Sequence, residues 1–309
     1  MDNFKKLFHG VYDFLEQDDG YTNFSKFSET QRKYLKFNEF FYVRTTFDAS
    51  ITIEFTTEAT EFGFDYKFFN IATSDTFDLY IDDKPFCIRK VEELSYEGKI
   101  CFTLNGGKKK VTLYFPIDAD VAIRNFYAND VCIPVEKGKK VLFIGDSITQ
   151  GYGAFESGAT FVNVVDRILG YELLNQGIGG YYFDKNSLER LDKFVPEEVF
   201  IAMGTNLCCV DDKEKYIAEF FEKLPCIYAN VPITVITPIW RNDFSDAYKK
   251  VCEVSDLIEK FSQGIENIKI IYGDKMIPHD EKYFLDKLHP NAEGAIIFGE
   301  NLAKAILQK

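Results

Sequence analysis

The hydrophobic rhythm of the chain changes near residue 134. Upstream, Ile51, Ile53 and Phe55 alternate with polar positions, and so do Phe62, Phe64, Tyr66 and Phe68. A period of two is that of a strand with one face in a core and one in water, as in antiparallel sheets. "KICFTLNGGKKKVTLYFP" sets Asn105-Gly106-Gly107 between two strand-like runs and predicts a hairpin. Several short strands at this spacing predict a sandwich or jelly roll. Pro134 and the polar "EKGKK" after it mark a boundary, dividing the chain into a β-rich domain over residues 1–136 and a second domain over 137–309.

Downstream the apolar runs no longer alternate. "KVLFIG", "YELLNQG", "EEVFIAMG", "PITVITP" and "IKIIYG" are separated by segments with helical spacing, near residues 159–169, 186–193, 211–224, 245–263 and 292–308. Continuous apolar strands alternating with helices predict a parallel sheet covered on both faces, a flavodoxin-like α/β/α arrangement. In such sheets ligands sit at the carboxyl ends of the strands. Attention therefore falls on Gly145-Asp146-Ser147 and on the loops after Leu174, Met203 and Ile236.

Composition narrows the partners. With 309 residues and 46% apolar content the chain can bury two sizeable cores. A formal net charge of −13 argues against a nucleic-acid backbone or an anionic membrane as partner. The first twenty residues have no unbroken apolar core and do not read as a signal peptide, and no apolar run reaches the roughly 20 residues of a membrane span. Seven cysteines without a C-x-x-C pair fit reduced thiols and a cytoplasmic location; Cys208 and Cys209 read as small core residues. Three histidines and no paired cysteines leave little for a metal site, and no cofactor is expected.

The strand-end loops carry one candidate for each role in serine acyl transfer. Ser147 follows a strand and opens a helix, where a hydroxyl is presented beside positive backbone dipoles, though an N-cap serine would look the same. His289 is a candidate general base, and Asp286, three residues earlier, a candidate to orient it; a surface histidine and a capping aspartate are the alternatives. The backbone N–H groups of Ser147 and Gly180 and the Asn206 amide are candidate oxyanion donors, although glycines there also serve tight turns. "GDSIT" lacks the second glycine of a G-x-S-x-G elbow, and "GDSITQG" lacks the lysine of a phosphate loop.

These blocks, "GDSIT", "NQGIGG", "GTN" and "DKLHPN", resemble in order and spacing those of the SGNH, or GDSL-type, hydrolases. The resemblance covers roughly residues 139–309. It implies Ser147, Asp286 and His289 as the catalytic set and Ser147, Gly180 (with Gly179 its near rival) and Asn206 as oxyanion donors. Leu207 stands where the third block commonly has aspartate, which implies a tuned loop rather than a lost activity. The β-rich half, with "FDLYIDD" at 77–83, is similar to a jelly-roll domain fused to some SGNH esterases, several of which remove acetyl groups from carbohydrates. The implied function is a serine esterase acting through an acyl-enzyme on short, acetyl-like esters of a small-molecule or oligosaccharide substrate. A thioesterase or lysophospholipase on the same scaffold, or a non-catalytic carbohydrate-binding protein, are the alternatives. Trp240, Arg241, Tyr152 and Tyr181 are candidate substrate contacts, each with packing as the alternative; the sequence leaves oligomeric state open.

Overall fold

A computed structural model describes residues 4–73 and 75–308; residues 1–3 and 309, the outermost ends of the two expected domains, and Ser74 lie outside it. The first half folds as two antiparallel sheets around one core. One sheet runs in the order β1 (Phe8–His9), β4 (Thr52–Thr57), β9 (Lys109–Tyr114), β6 (Thr76–Ile81), β7 (Lys84–Lys90), with β11 (Ile133–Pro134) also on β4. The other runs β2 (Asp13–Glu16), β3 (Thr22–Ser25), β10 (Ala119–Ala128), β5 (Glu61–Ile71), β8 (Glu97–Thr103). The alternating positions face inward: Ile53 and Phe55 from the first sheet meet Phe62, Phe64, Tyr66 and Phe68 from the second. Aromatic rings fill this core, with Phe64 stacked on Phe115 and Phe62 on Phe102.

Three local expectations change. Asn105-Gly106-Gly107 does not close a hairpin, because β8 pairs with β5 while β9 pairs with β4 and β6; the glycines carry the chain from one sheet to the other. The tight hairpin lies instead between β6 and β7, where Asp82 and Asp83 both take positive φ (50° and 63°), as a type I′ turn requires. Two short helices interrupt the β-rich half, α1 (Glu29–Leu35) and α2 (Glu39–Arg44).

The second half is a five-stranded parallel sheet in the order β13 (Glu172–Gly177), β12 (Lys140–Gly145), β14 (Glu198–Ala202), β15 (Ile233–Ile236), β16 (Ile268–Ile271). Its strands are apolar throughout because both faces are covered. Val141 and Phe143 point toward α4 (Phe161–Leu169) and α7 (Ala292–Leu307), while Leu142 and Ile144 point toward α5 (Lys213–Ile227) and α6 (Ala247–Ser262). The expected helix over 186–193 does not form, apart from a 3₁₀ turn at Lys185–Ser187. Its carbonyls are captured from outside: Gln31 donates to Ser187 O at 3.1 Å and the Tyr228 hydroxyl to Glu189 O at 2.9 Å, while Leu188 and Leu191 enter the core. Cys208 is buried as expected, but Cys209 is exposed, since both lie on a turn beyond the strand rather than in it. Among the described residues no helix is long and apolar enough to cross a membrane.

Buried carboxyl groups give the fold a pH signature. Burial pushes Asp75 up to about 7, Asp78 to about 6 and Asp146 to about 7, against backbone and side-chain donors that favour the ionised forms. Between the ordinary carboxyl range and about 7 the folded protein therefore holds protons that the unfolded chain releases, so stability falls as pH rises. Burial also lowers Lys26 to about 8, which acts only above that window. Thermal melts are expected to show Tm falling from pH 5 to pH 8, each such aspartate contributing on the order of 1 kcal/mol; a flat or rising Tm would contradict the assignment.

Candidate active site

Ser147 stands on a narrow platform at the end of β12. The backbone at Gly145 passes so close to the next turn that a Cβ there would lie 2.0 Å from Thr149 Oγ1 and 2.5 Å from Ala202 O. Thr149 Oγ1 donates to Ala202 O at 2.7 Å, tying the turn to β14. Asp146 caps the four-residue helix α3 (Ser147–Gln150) by accepting the Ile148 N–H at 3.0 Å, and Gly151 closes it with φ 107°. The serine side chain is thereby fixed just above the sheet.

His289 arrives from a separate loop. Leu285 N–H donates to His289 O at 2.8 Å, Lys287 takes the left-handed conformation (φ 66°), and Asn242 N–H holds Lys287 O at 2.9 Å. Within this turn Asp286 Oδ1 accepts the N–H groups of Leu288 (3.1 Å) and His289 (2.8 Å), while Oδ2 lies 2.8 Å from His289 Nδ1. Burial alone would raise the Asp286 carboxyl; the His289 backbone N–H and imidazole outweigh it and hold the group below its usual range. The other ring nitrogen, Nε2, lies 2.9 Å from Ser147 Oγ. Residues 142 positions apart thus form one hydrogen-bonded series from hydroxyl to imidazole to carboxylate. The Tyr152 ring packs edge-on against the imidazole, with centroids 4.7 Å apart.

The candidate oxyanion donors occupy three adjacent strand ends, β13, β12 and β14, whose last residues Gly177, Gly145 and Ala202 are in register. The backbone N–H groups of Ser147 and Gly180 have no acceptor among the described residues. The Gly179 N–H, by contrast, is occupied by Gln150 Oε1 at 2.6 Å. Gly180 also has φ 77°, and a Cβ there would lie 2.9 Å from Phe40 Cε1. Asn206 places one amide N–H on Tyr181 O at 2.8 Å, which orients the amide and leaves the second N–H without an acceptor.

The candidate substrate contacts separate. Tyr152 lies at the imidazole. Tyr181 is buried, donates to Asp184 Oδ2 at 3.0 Å and packs against Phe41. Trp240 stacks on His279 and against Phe284, fastening its own loop. Arg241 is buried in a two-pronged pair with Asp243 (2.7 and 2.6 Å) and donates to Thr205 O at 2.8 Å, so it braces the turn that carries Asn206.

Residues not singled out in the sequence also shape the site. Gln150 accepts from Gly179 and donates to Asp118 of the first half. From α2, Phe40 and Phe41 cover Gly180 and Tyr181, and Arg44 reaches Gly179. The capping box Ser28-Glu29-Thr30-Gln31 and the N-cap Asn38 with Glu39 after it are the sequence signals for this helical pair.

A hydroxyl whose proton can pass to an oriented imidazole, beside N–H groups with nothing to bind, suits attack on an acyl carbon. With this fold, that chemistry defines a carboxylic ester hydrolase. Residues 143–296 match the family model described as the GDSL-like Lipase/Acylhydrolase family. Solved structures share the whole architecture. The salicylyl-acyltransferase SsfX3 from a tetracycline biosynthetic pathway aligns with TM-score 0.75 and 17% identity, over 97% of this chain and 94% of that one. A putative GDSL-like lipase from Bacteroides ovatus gives 0.76 and 19%, over 98% and 95%. A family two carbohydrate esterase from Clostridium thermocellum, in complex with cellohexaose, gives 0.69 and 16%, over 97% and 98%. At these identities the likeness establishes the fold. No curated protein matches the chain.

Proposed function

We propose that the protein hydrolyses short acyl esters, acetyl foremost, carried on a carbohydrate. The observation that supports this most directly is the 2.9 Å contact between Ser147 Oγ and His289 Nε2, continued at 2.8 Å to Asp286. His289 takes the hydroxyl proton as Ser147 attacks the acyl carbon, and Asp286 stabilises the imidazolium. The N–H groups of Ser147 and Gly180 and the free amide N–H of Asn206 receive the oxyanion. His289 returns the proton to the departing alcohol, then activates the water that releases the acyl group from Ser147. Support for a carbohydrate alcohol comes from structural neighbours, among them the Clostridium thermocellum carbohydrate esterase and an acetyl xylan esterase from Butyrivibrio proteoclasticus.

A series of 4-nitrophenyl esters from acetyl to octanoyl, run beside acetyl-CoA and acetylated oligosaccharides, tests the reading. It requires the acetyl ester and the acetylated sugars to be the better substrates; a preference for octanoyl esters or for acetyl-CoA would favour a lysophospholipase or thioesterase instead. Asn206→Ala is expected to lower kcat about a hundredfold with little change in KM, because the amide donates to charge that develops only in the transition state. A fall confined to KM would remove Asn206 from that role.

A further inference from the structure

The wall of the site contributed by the first half carries a cation with no carboxylate in contact. Arg44, the last residue of α2, has no carboxylate within 4 Å among the described residues and makes one hydrogen bond, Nη1 to Phe40 O at 3.0 Å. Its guanidinium carbon sits over the Phe40 ring, 3.5 Å from the centroid. Arg241, by contrast, takes a carboxylate with both prongs and is spent on bracing its own loop. Asp118 and Tyr152 are the groups whose charge it senses. Asp118 is already occupied by Thr73 Oγ1 and Gln150 Nε2.

Arg44 packs against the loop that carries the candidate oxyanion glycine. A Cβ at Gly179 would lie 2.7 Å from Arg44 Nε, and a Cβ at Gly180, the candidate oxyanion glycine, 2.9 Å from the Phe40 ring. Gly179 does not have a positive φ, so the backbone does not demand glycine there; the approach of Arg44 and Gln150 does. The guanidinium also senses the charge of Tyr152, whose ring packs on His289. Arg44 therefore borders the oxyanion loop at Gly179. Nη1 is turned to Phe40 O, and the Nε and Nη2 N–H groups, the pair that can take a carboxylate through two parallel N–H···O bonds, have no acceptor among the described residues. Phe40 holds the guanidinium plane and is itself half exposed, at 50%.

The geometry points to Arg44 as a specificity-determining residue that selects esters whose alcohol part carries a carboxylate near the scissile bond, such as an acylated uronic acid. This inference rests on the esterase reading and narrows its substrate.

The test compares two monoacetates matched in every atom but one group, acetylated methyl glucoside and the corresponding methyl glucuronide, on wild type, Arg44→Gln and Arg44→Lys. The wild type is expected to favour the uronate by about tenfold or more in kcat/KM, the scale of one charge-assisted pair. Arg44→Gln should collapse that ratio, chiefly through KM, and Arg44→Lys should retain part of it, a point charge replacing a planar fork. The preference should also shrink as salt is raised. A wild type without preference, or a ratio that Arg44→Gln leaves intact, overturns the inference. A turnover-independent arm titrates methyl glucuronide against Ser147→Ala with and without Arg44→Gln by calorimetry; equal binding by both overturns it too. Failure of the esterase reading would look different: neither acetate would be cleaved and a fluorophosphonate would not label Ser147, while the calorimetric comparison would still decide the role of Arg44.

Discussion

Ser147→Ala is expected to abolish ester turnover, by about a millionfold in kcat if the hydroxyl, imidazole and carboxylate act as one unit. The size follows from chemistry that no other group can assume. Ser147 Oγ is the hydroxyl set 2.9 Å from His289 Nε2, and Thr149, the next hydroxyl on the turn, is buried and committed to Ala202 O. Removing Oγ leaves the oxyanion donors and the imidazole in place, so a residual rate of roughly a thousandfold over water can persist through His289-activated water. His289→Ala should cost about as much as Ser147→Ala, and the double variant little more than either, because each single change already disables the unit. The fold should be undisturbed, since the substitution removes one oxygen and Asp146 still caps α3. Fluorophosphonate labelling followed by peptide mass analysis checks the point without a substrate: the adduct should map to Ser147 and vanish in Ser147→Ala. A variant that keeps its turnover, or a label that maps elsewhere, removes the nucleophile from this position.

Much of this was legible in the sequence, for reasons that also explain what was not. The strand containing Leu142, Phe143 and Ile144 is apolar on both faces, so its burial inside an α/β/α sandwich follows from composition alone. The rule that ligands gather at carboxyl strand ends then directs attention to Ser147, Gly180 and Asn206. Other features depend on orientation, which order along the chain does not carry. Trp240 and Arg241 lie just past the carboxyl end of β15 yet turn inward, toward His279 and Asp243. The segment 186–193 has helical spacing, but Gln31 and Tyr228, both distant in sequence, take its carbonyls. The α1–α2 wall was hidden for the same reason: helices of seven and six residues owe their stability to what they pack against, here Tyr181 and Tyr182 of the other half.

Joining the two halves falls to a buried charge cluster, and Lys137→Met is expected to lower stability by about 3–5 kcal/mol. Lys137 lies in the connection between β11 and β12, with its ammonium 2.7 Å from Glu54 Oε1 on β4 and 2.9 Å from Asp166 Oδ2 on α4. The three side chains are 6%, 1% and 7% exposed, so the attraction is little screened by solvent. Burial would strip the ammonium of its proton, but Asp166 and Glu54 prevail and keep it charged; burial also pushes Asp166 up to about 6 even with Lys137 alongside. Without the cation two carboxyl groups face each other in a dry junction, with the His9 imidazole nearby and the Lys110 ammonium, 3.7 Å from Glu54, in partial compensation. Asp166 must rise further and Glu54, which Lys137 now helps to hold below its ordinary value, must rise as well, so the folded variant takes up protons that the unfolded chain releases, and its deficit must shrink as pH falls. Denaturant titrations should therefore show a larger loss at pH 8 than at pH 5, and a triple variant with Glu54→Gln and Asp166→Asn should recover most of it. A loss that is small, or equal at both pH values, would mean that packing rather than charge holds the junction.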